Sequence, residues 1–385
     1  MKINKLIYVS TPYKSAIDES QVYNLLEYYY DANKFKEVIL IQIYSNQTNY
    51  FNAQRILKKY HFKKIFIRGK IGLIFPFNTI NWKLKKAFSN IITDKNFILH
   101  VRTEMLGYYV INALNWNKQP LNVLIDIRGT TVEEIDYRLK YGKENNLYLN
   151  IIKSSYRKLP NFYHTNNVAI SAVSKALKDY LIKNNFNENI EINPNVVAKN
   201  FCFDMSKRIN IRKQLNIKDE QVLIVLSSGG GTIWQKDKTI VNFINKRENY
   251  IILNLSRTAI KQDGVINMFL PFEKMPDYLS AADVAIVWRD KHILNTCASP
   301  SKFSEFAAMG LYVIHNNSVE LIVQYLKENE AGILKNEMNE VSIDLSKIQN
   351  NKLRQLRAER GRKEFGIEAI SKNYYKSYLK ILYSM

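Results

Sequence analysis

Short hydrophobic runs, long enough for a strand and too short for a helix, recur along this chain with amphipathic helical stretches between them. Residues 6–10, 37–45, 64–68, 96–101 and 122–127 read as buried strands, and 20–30 and 52–59 as helices. Strands that alternate with helices in this way predict a parallel sheet covered on both faces. In such sheets ligands bind beyond the carboxyl ends of the strands, so polar residues at those ends become the candidate functional groups. With 385 residues the chain can build two domains of this kind.

Residues 299–314, SPSKFSEFAAMGLYVI, carry the densest set of local signals. Ser299 suits an N-cap and Pro300 the first helical position. Phe303, Phe306 and Ala307 then share one helical face. Gly310 can end the helix in a left-handed conformation, and LYVIH resumes as a strand. The helix start, with Ser301 in its first turn, offers unpaired N–H groups and a positive dipole end that suit a phosphate. Lys302 adds a point charge there, and Glu305, three residues on, a fixed acceptor suited to a ribose diol. An ordinary capped helix with an ion pair fits the same residues.

Other strand ends are also polar. His100 and Arg102 alternate with Val101, and Asp126 and Arg128 with Ile127, so each pair points to one face. His100 can orient a hydroxyl or relay a proton, or it can be a satisfied structural histidine. Asp126 and Arg128 can equally form a plain strand–helix turn with a salt bridge. A strand at 222–226 runs into a small-residue loop with Gly229, Gly230 and Gly231, which lets backbone approach a ligand closely. Lys236 or Lys238 can supply charge to that loop. Arg257 is expected at the end of a strand over 250–258. Arg289, at the end of another, suits bidentate phosphate binding.

These segments together resemble GT-B glycosyltransferases, in particular glycosyltransferase family four of the bacterial polysaccharide type. SPSKFSEFAAMGLYVI is similar to the family's donor-nucleotide motif, E-x7-E followed by a small-residue helix, glycine and strand. Glu305 matches the second glutamate, while Cys297 stands where the first belongs. EINPNVVAKNFCF (191–203) resembles the family's crossover, with Asn195 at the asparagine position and a boundary near residue 200. The resemblance implies two Rossmann-like domains facing across a cleft: an acceptor domain over 1–200, a donor domain over 201–366, and a helix over 367–385 that crosses back. It implies a retaining, metal-independent hexosyl transfer from a UDP- or GDP-sugar to a hydroxyl of a glycan or lipid-diphosphate-linked acceptor. The nucleotide sugar is then a substrate, and no cofactor is expected. Arg289 and Lys302 would stabilise the departing diphosphate, Glu305 would hold the ribose, and His100 and Arg102 would face the acceptor.

Charge bears on partners. Lys and Arg number 56 against 35 Asp and Glu, a formal +21. Such an excess suggests an anionic partner, here an anionic membrane surface, although heavy use of Asn, Ile, Lys and Tyr also follows from an AT-rich genome. No basic-aromatic nucleic-acid module is recognisable. Two cysteines are too few for a disulfide framework. The expected setting is cytoplasmic, peripheral at the inner face of the cell membrane. A GT-B-fold sugar-nucleotide epimerase and a nucleic-acid-binding protein remain alternatives.

Overall fold

The structure is a computed structural model that describes residues 3–12, 15–71, 79–142, 146–227, 240 and 249–383. The chain divides into two compact units, Met1–Pro194 together with Ile370–Met385, and Asn195–Ala369. The crossover joins the second unit earlier than residue 200. Val197 pairs with Gly366, its N–H bonding to Phe365 O at 2.8 Å, and Val197, Ala198 and Phe201 are buried in the second unit's core.

Among the described residues, the first unit holds a seven-stranded parallel sheet: β1 (Ile3–Ser10), β2 (Phe35–Tyr44), β3 (Lys63–Arg68), β4 (Phe97–Arg102), β5 (Val123–Ile127), β6 (Ala169–Ala172) and β7 (Ile190–Ile192), in the order β3-β2-β1-β4-β5-β6-β7. The second unit's sheet has six strands: β8 (Val222–Leu226), β9 (Tyr250–Asn254), β10 (Val265–Asn267), β11 (Val284–Val287), β12 (Tyr312–His315) and β13 (Gly332–Leu334), in the order β10-β9-β8-β11-β12-β13. Both orders reverse direction beside the first strand of the unit, between β1 and β4 and between β8 and β11. Such a reversal opens a crevice at the strands' carboxyl ends.

The continuous hydrophobic runs follow from burial on both faces. In β8, Leu223 and Val225 enter one core with Phe303, Phe306 and Leu279, while Val222, Ile224 and Leu226 enter the other with Ile286 and Ile314. Asn254 ends β9 four residues before the expected end at 258. Its side chain donates to Thr258 O (2.9 Å) and accepts from Ser256 N (3.2 Å), turning the chain away from the sheet.

Between β11 and β12, after a single turn at Ile293–Thr296, a helix spans Ser301–Ala308, with Pro300 rather than Ser299 in the N-cap position. The Ser299 hydroxyl accepts from Asn195 N at 3.1 Å, so it serves the crossover instead of the helix. Gly310 takes φ +67° as expected, and a Cβ there would lie 2.2 Å from Arg354 O. The Asn351–Phe365 helix packs across this end. Gly361 brings it so close that a Cβ would sit 2.2 Å from Ala307 O. Three of its arginines donate to the last carbonyls of the Ser301–Ala308 helix and its turn: Arg362 Nη1 to Ala308 O (3.5 Å), Arg354 Nε to Met309 O (3.3 Å) and Arg357 Nε to Gly310 O (3.1 Å). Arg354, 1% exposed, also donates to Leu279 O and Ala282 O.

His315 closes β12. Its Nδ1 donates to Val287 O at 2.7 Å and its Nε2 accepts from Val319 N at 3.0 Å, an arrangement only the neutral ring can make. Burial draws its pKa from 6.5 down to about 4. Between those values the unfolded chain binds a proton that the native ring does not, so native stability falls as pH drops from 6.5 to 4. Urea unfolding across that range should show a loss of about 3 kcal/mol from this group. His315→Gln should flatten the profile; an unchanged slope in that variant would show that the ring does not carry the effect.

Candidate functional site

In the second unit the crevice at the β8/β11 reversal is occupied by a small cavity of about 40 Å³. Its walls come from the end of β8 (Leu226, Ser227), the end of β11 (Val287, Trp288, Arg289) and the first turn of the Ser301–Ala308 helix (Pro300, Lys302). Arg289 lies just past the end of β11. Its backbone is clamped by Asn316, which accepts from Arg289 N (3.2 Å) and donates to Arg289 O (2.6 Å). Its Nη1 donates to Asn295 Oδ1 at 3.3 Å, while Nε is buried and bonds to nothing. Burial alone brings its pKa down to about 10, so it stays charged at neutral pH. No ion pair joins it to a described carboxylate. A partly buried cation with no counter-ion among the described residues, beside Lys302 and a helix N-terminus, offers the charge and donors that an anion needs.

Lys302 Nζ is held 2.8 Å from Glu305 Oε2, with the lysine one-third exposed and the glutamate nearly buried. The spacing at i, i+3 puts both on one side of the helix, as expected. Ser301 begins the same helix. Cys297 is fully buried. Arg257, in contrast, is not a wall of this cavity: it is exposed and lies 5.4 Å over the Phe269 ring, because β9 ends before reaching it. Gly229, Gly230, Gly231 and Lys236 lie outside the described residues.

The first unit's reversal, between β1 and β4, is filled rather than open. Asp126 and Arg128 share one face, and Arg128 Nη1 donates to both carboxylate oxygens at 3.1 Å. Arg128 also reaches Gln21 Oε1 (3.1 Å) and Tyr374 OH (3.3 Å). Burial alone would raise the pKa of Asp126, but Arg128, His100 and Arg102 outweigh it and hold the carboxyl well below its usual range. His100 is 0% exposed. Its Nδ1 lies 2.7 Å from Tyr378 OH on the C-terminal helix, Ile367–Tyr383, and its ring packs between Tyr8 and Tyr374. Burial lowers its pKa against the pull of Asp126, so the ring is neutral at pH 7. It is enclosed by these groups and meets no solvent. Arg102 differs: it is partly exposed, 4.0 Å from Asp126, with Nη1 unbonded.

Sequence reasoning missed Thr103, the residue after Arg102. Its φ of +82° is a strained conformation for a β-branched side chain. Its N–H bonds Asp126 O at 3.0 Å, which fixes the turn out of β4 and so the aim of Arg102.

No family model matches the sequence, and no curated protein does. Solved structures do. A glycosyltransferase from Rickettsia africae superposes with a TM-score of 0.71 at 13% identity, covering 99% of both chains. Anabaena HepE in complex with UDP-glucose gives 0.67 at 9% identity, covering 98% of this chain and 99% of that one. The UDP-GlcNAc 2-epimerase of Neisseria meningitidis, bound to UDP-GlcNAc, gives 0.54 at 13%, covering 98% and 100%. The likeness shows a GT-B fold of two Rossmann-like domains over the full chain.

An anion site of this kind predicts that pyrophosphate binds the protein and that Arg289→Ala and Lys302→Ala each weaken binding by about 1.5–3 kcal/mol, the worth of a charge-assisted contact. Isothermal titration calorimetry checks this. Unaltered affinity in Arg289→Ala would remove the cavity as the site.

Proposed function

We propose that this chain is a sugar-nucleotide-dependent glycosyltransferase. It moves a hexosyl group, with retention, from a UDP- or GDP-sugar to a hydroxyl of a glycan or lipid-diphosphate-linked acceptor in bacterial surface polysaccharide synthesis. The observation that carries the reading is Arg289, a charged guanidinium with no counter-ion among the described residues, set beside Lys302 at the reversal of the second sheet. The glycosyltransferase and UDP-glucose complexes among the structural neighbours favour UDP as the base carrier.

In the reaction, the bond between the sugar's anomeric carbon and the β-phosphate oxygen breaks, and its electrons stay on the diphosphate. The acceptor oxygen bonds to that carbon, and its proton passes to the departing phosphate oxygen. Arg289, Lys302 and the N–H groups from Ser301 onward are fixed before the charge develops, which is the condition for effective electrostatic stabilisation. Glu305 Oε2 holds Lys302, leaving Oε1 for a ribose hydroxyl. On the first unit, Arg102 is the acceptor-side group. His100, Asp126 and Arg128 are positioning residues that hold the strand end beneath it. Cys297 packs as a small hydrophobe.

Incubation with a panel of labelled UDP- and GDP-sugars and lipid-linked acceptors tests the reading, with the anomeric configuration of the product read by NMR. Lys302→Ala should lower kcat/KM by about 2–4 kcal/mol, roughly 30- to 1,000-fold, whereas Cys297→Ala should keep most activity. Acceptor-independent appearance of a C2-epimerised nucleotide sugar would replace the transferase with an epimerase. Collapse of activity in Cys297→Ala with Lys302→Ala intact would point to thiol chemistry instead.

A further inference from the structure

Residues 38–93 contain ten Lys and Arg side chains and no Asp or Glu. Within this stretch the Thr79–Ile91 helix buries Ile80, Leu84, Phe88 and Ile91 and turns Trp82, Lys85 and Lys86 outward. Trp82 is 59% exposed, and Trp116, the last residue of the Glu104–Trp116 helix, is 60% exposed. The two are parts of one surface. Lys85 Nζ sits 5.0 Å from the Trp116 ring and Lys86 Nζ 5.7 Å from the Trp82 ring. Asn117 then staples the helices together, donating to Lys85 O (3.0 Å) and Ser89 Oγ (3.2 Å).

We propose that this Trp82–Lys85–Lys86–Trp116 face docks on an anionic lipid bilayer. Indole rings are amphipathic and settle at the depth of lipid headgroups. Lysine stems lie along apolar surface while their ammonium heads stay at the level of the lipid phosphates. The face offers both groups side by side, with no carboxylate in the surrounding sequence to oppose an anionic surface. A protein partner fits less well, because lysine is depleted at the centres of protein interfaces. No described helix is long and apolar enough to cross a membrane, so the contact proposed is with the surface. The inference is independent of the transferase reading, since it concerns a different face and its test reads no turnover.

The test is co-sedimentation of the full chain with vesicles of phosphatidylcholine alone or mixed with phosphatidylglycerol, at low and high salt. Binding should require phosphatidylglycerol and fall with salt. Lys85→Gln with Lys86→Gln should lower the partition coefficient about thirtyfold, as two basic residues near such a surface would. Trp82→Ser with Trp116→Ser should lower it about tenfold and abolish quenching of tryptophan fluorescence by brominated lipid. Pyrophosphate titration of both variants should match the unsubstituted protein, which separates this face from the anion site. Four results overturn the proposal: no binding to anionic vesicles, equal binding to neutral ones, quenching that persists without Trp82 and Trp116, or displacement from vesicles by heparin with no loss in either variant.

Discussion

The carbonyl end of the Ser301–Ala308 helix is the constraint on which the second unit's site depends. A helix leaves its last four carbonyls without partners inside the helix; here the following turn takes three of them, Met309 N bonding Glu305 O, Leu311 N bonding Phe306 O and Gly310 N bonding Ala307 O, which leaves Ala308 O and the turn's own carbonyls to be met from outside. The Asn351–Phe365 helix solves this with three arginines that donate to Ala308, Met309 and Gly310. Gly361 makes the approach possible by removing the Cβ that would strike Ala307 O. Cations at the carboxyl end also oppose the dipole's negative pole. The helix is thus gripped at its far end, and its N-terminal turn, with Lys302, is aimed from a rigid base. Arg354 adds Leu279 O and Ala282 O to the same grip, so the elements flanking β11 are set by one side chain.

The two sheets reverse in the same way, but their reversals differ in electrostatics. At the first unit's reversal the described polar groups bond one another: Asp126 with Arg128, His100 with Tyr378, and Arg128 with Gln21 and Tyr374, while Arg102 stands 4.0 Å from Asp126. That network is mutually bonded except at His100 Nε2 and Arg102 Nη1, and its members are held chiefly by one another. In the second unit Arg289 keeps an unbonded Nε and, among the described residues, no ion pair. The same topology therefore yields a closed polar core in one unit and an open anion site in the other.

Much of this was legible in the residues. The 222–226 run became β8 with the same ends, and Gly310 is left-handed. Arg289 and Lys302, at the strand end and the helix start of one segment, do line one cavity, because strand ends and helix starts meet in this topology. What was not legible depended on contacts remote in sequence. Nothing local tells that Arg354 is buried, since a basic helix usually faces solvent. Ser299 looked like a cap because the partner that claims its hydroxyl, Asn195, arrives from the crossover. Arg257 missed the cavity because Asn254, a residue disfavoured in strands, breaks the strand through its own side-chain bonds to Thr258 O and Ser256 N. The enclosure of His100 depends on Tyr378, contributed by the last helix of the chain.

The isolated guanidinium of Arg289 has a consequence for the history of the protein. A cation kept in a poorly hydrated niche is a standing cost to the empty molecule, and only a bound anion relieves it. Selection for heat resistance without ligand would favour neutral replacements at this position before most others, and each would erase the site while improving the scaffold. A descendant of this fold that had lost its ligand should show the loss first at Arg289, with the carbonyl grip behind the helix intact.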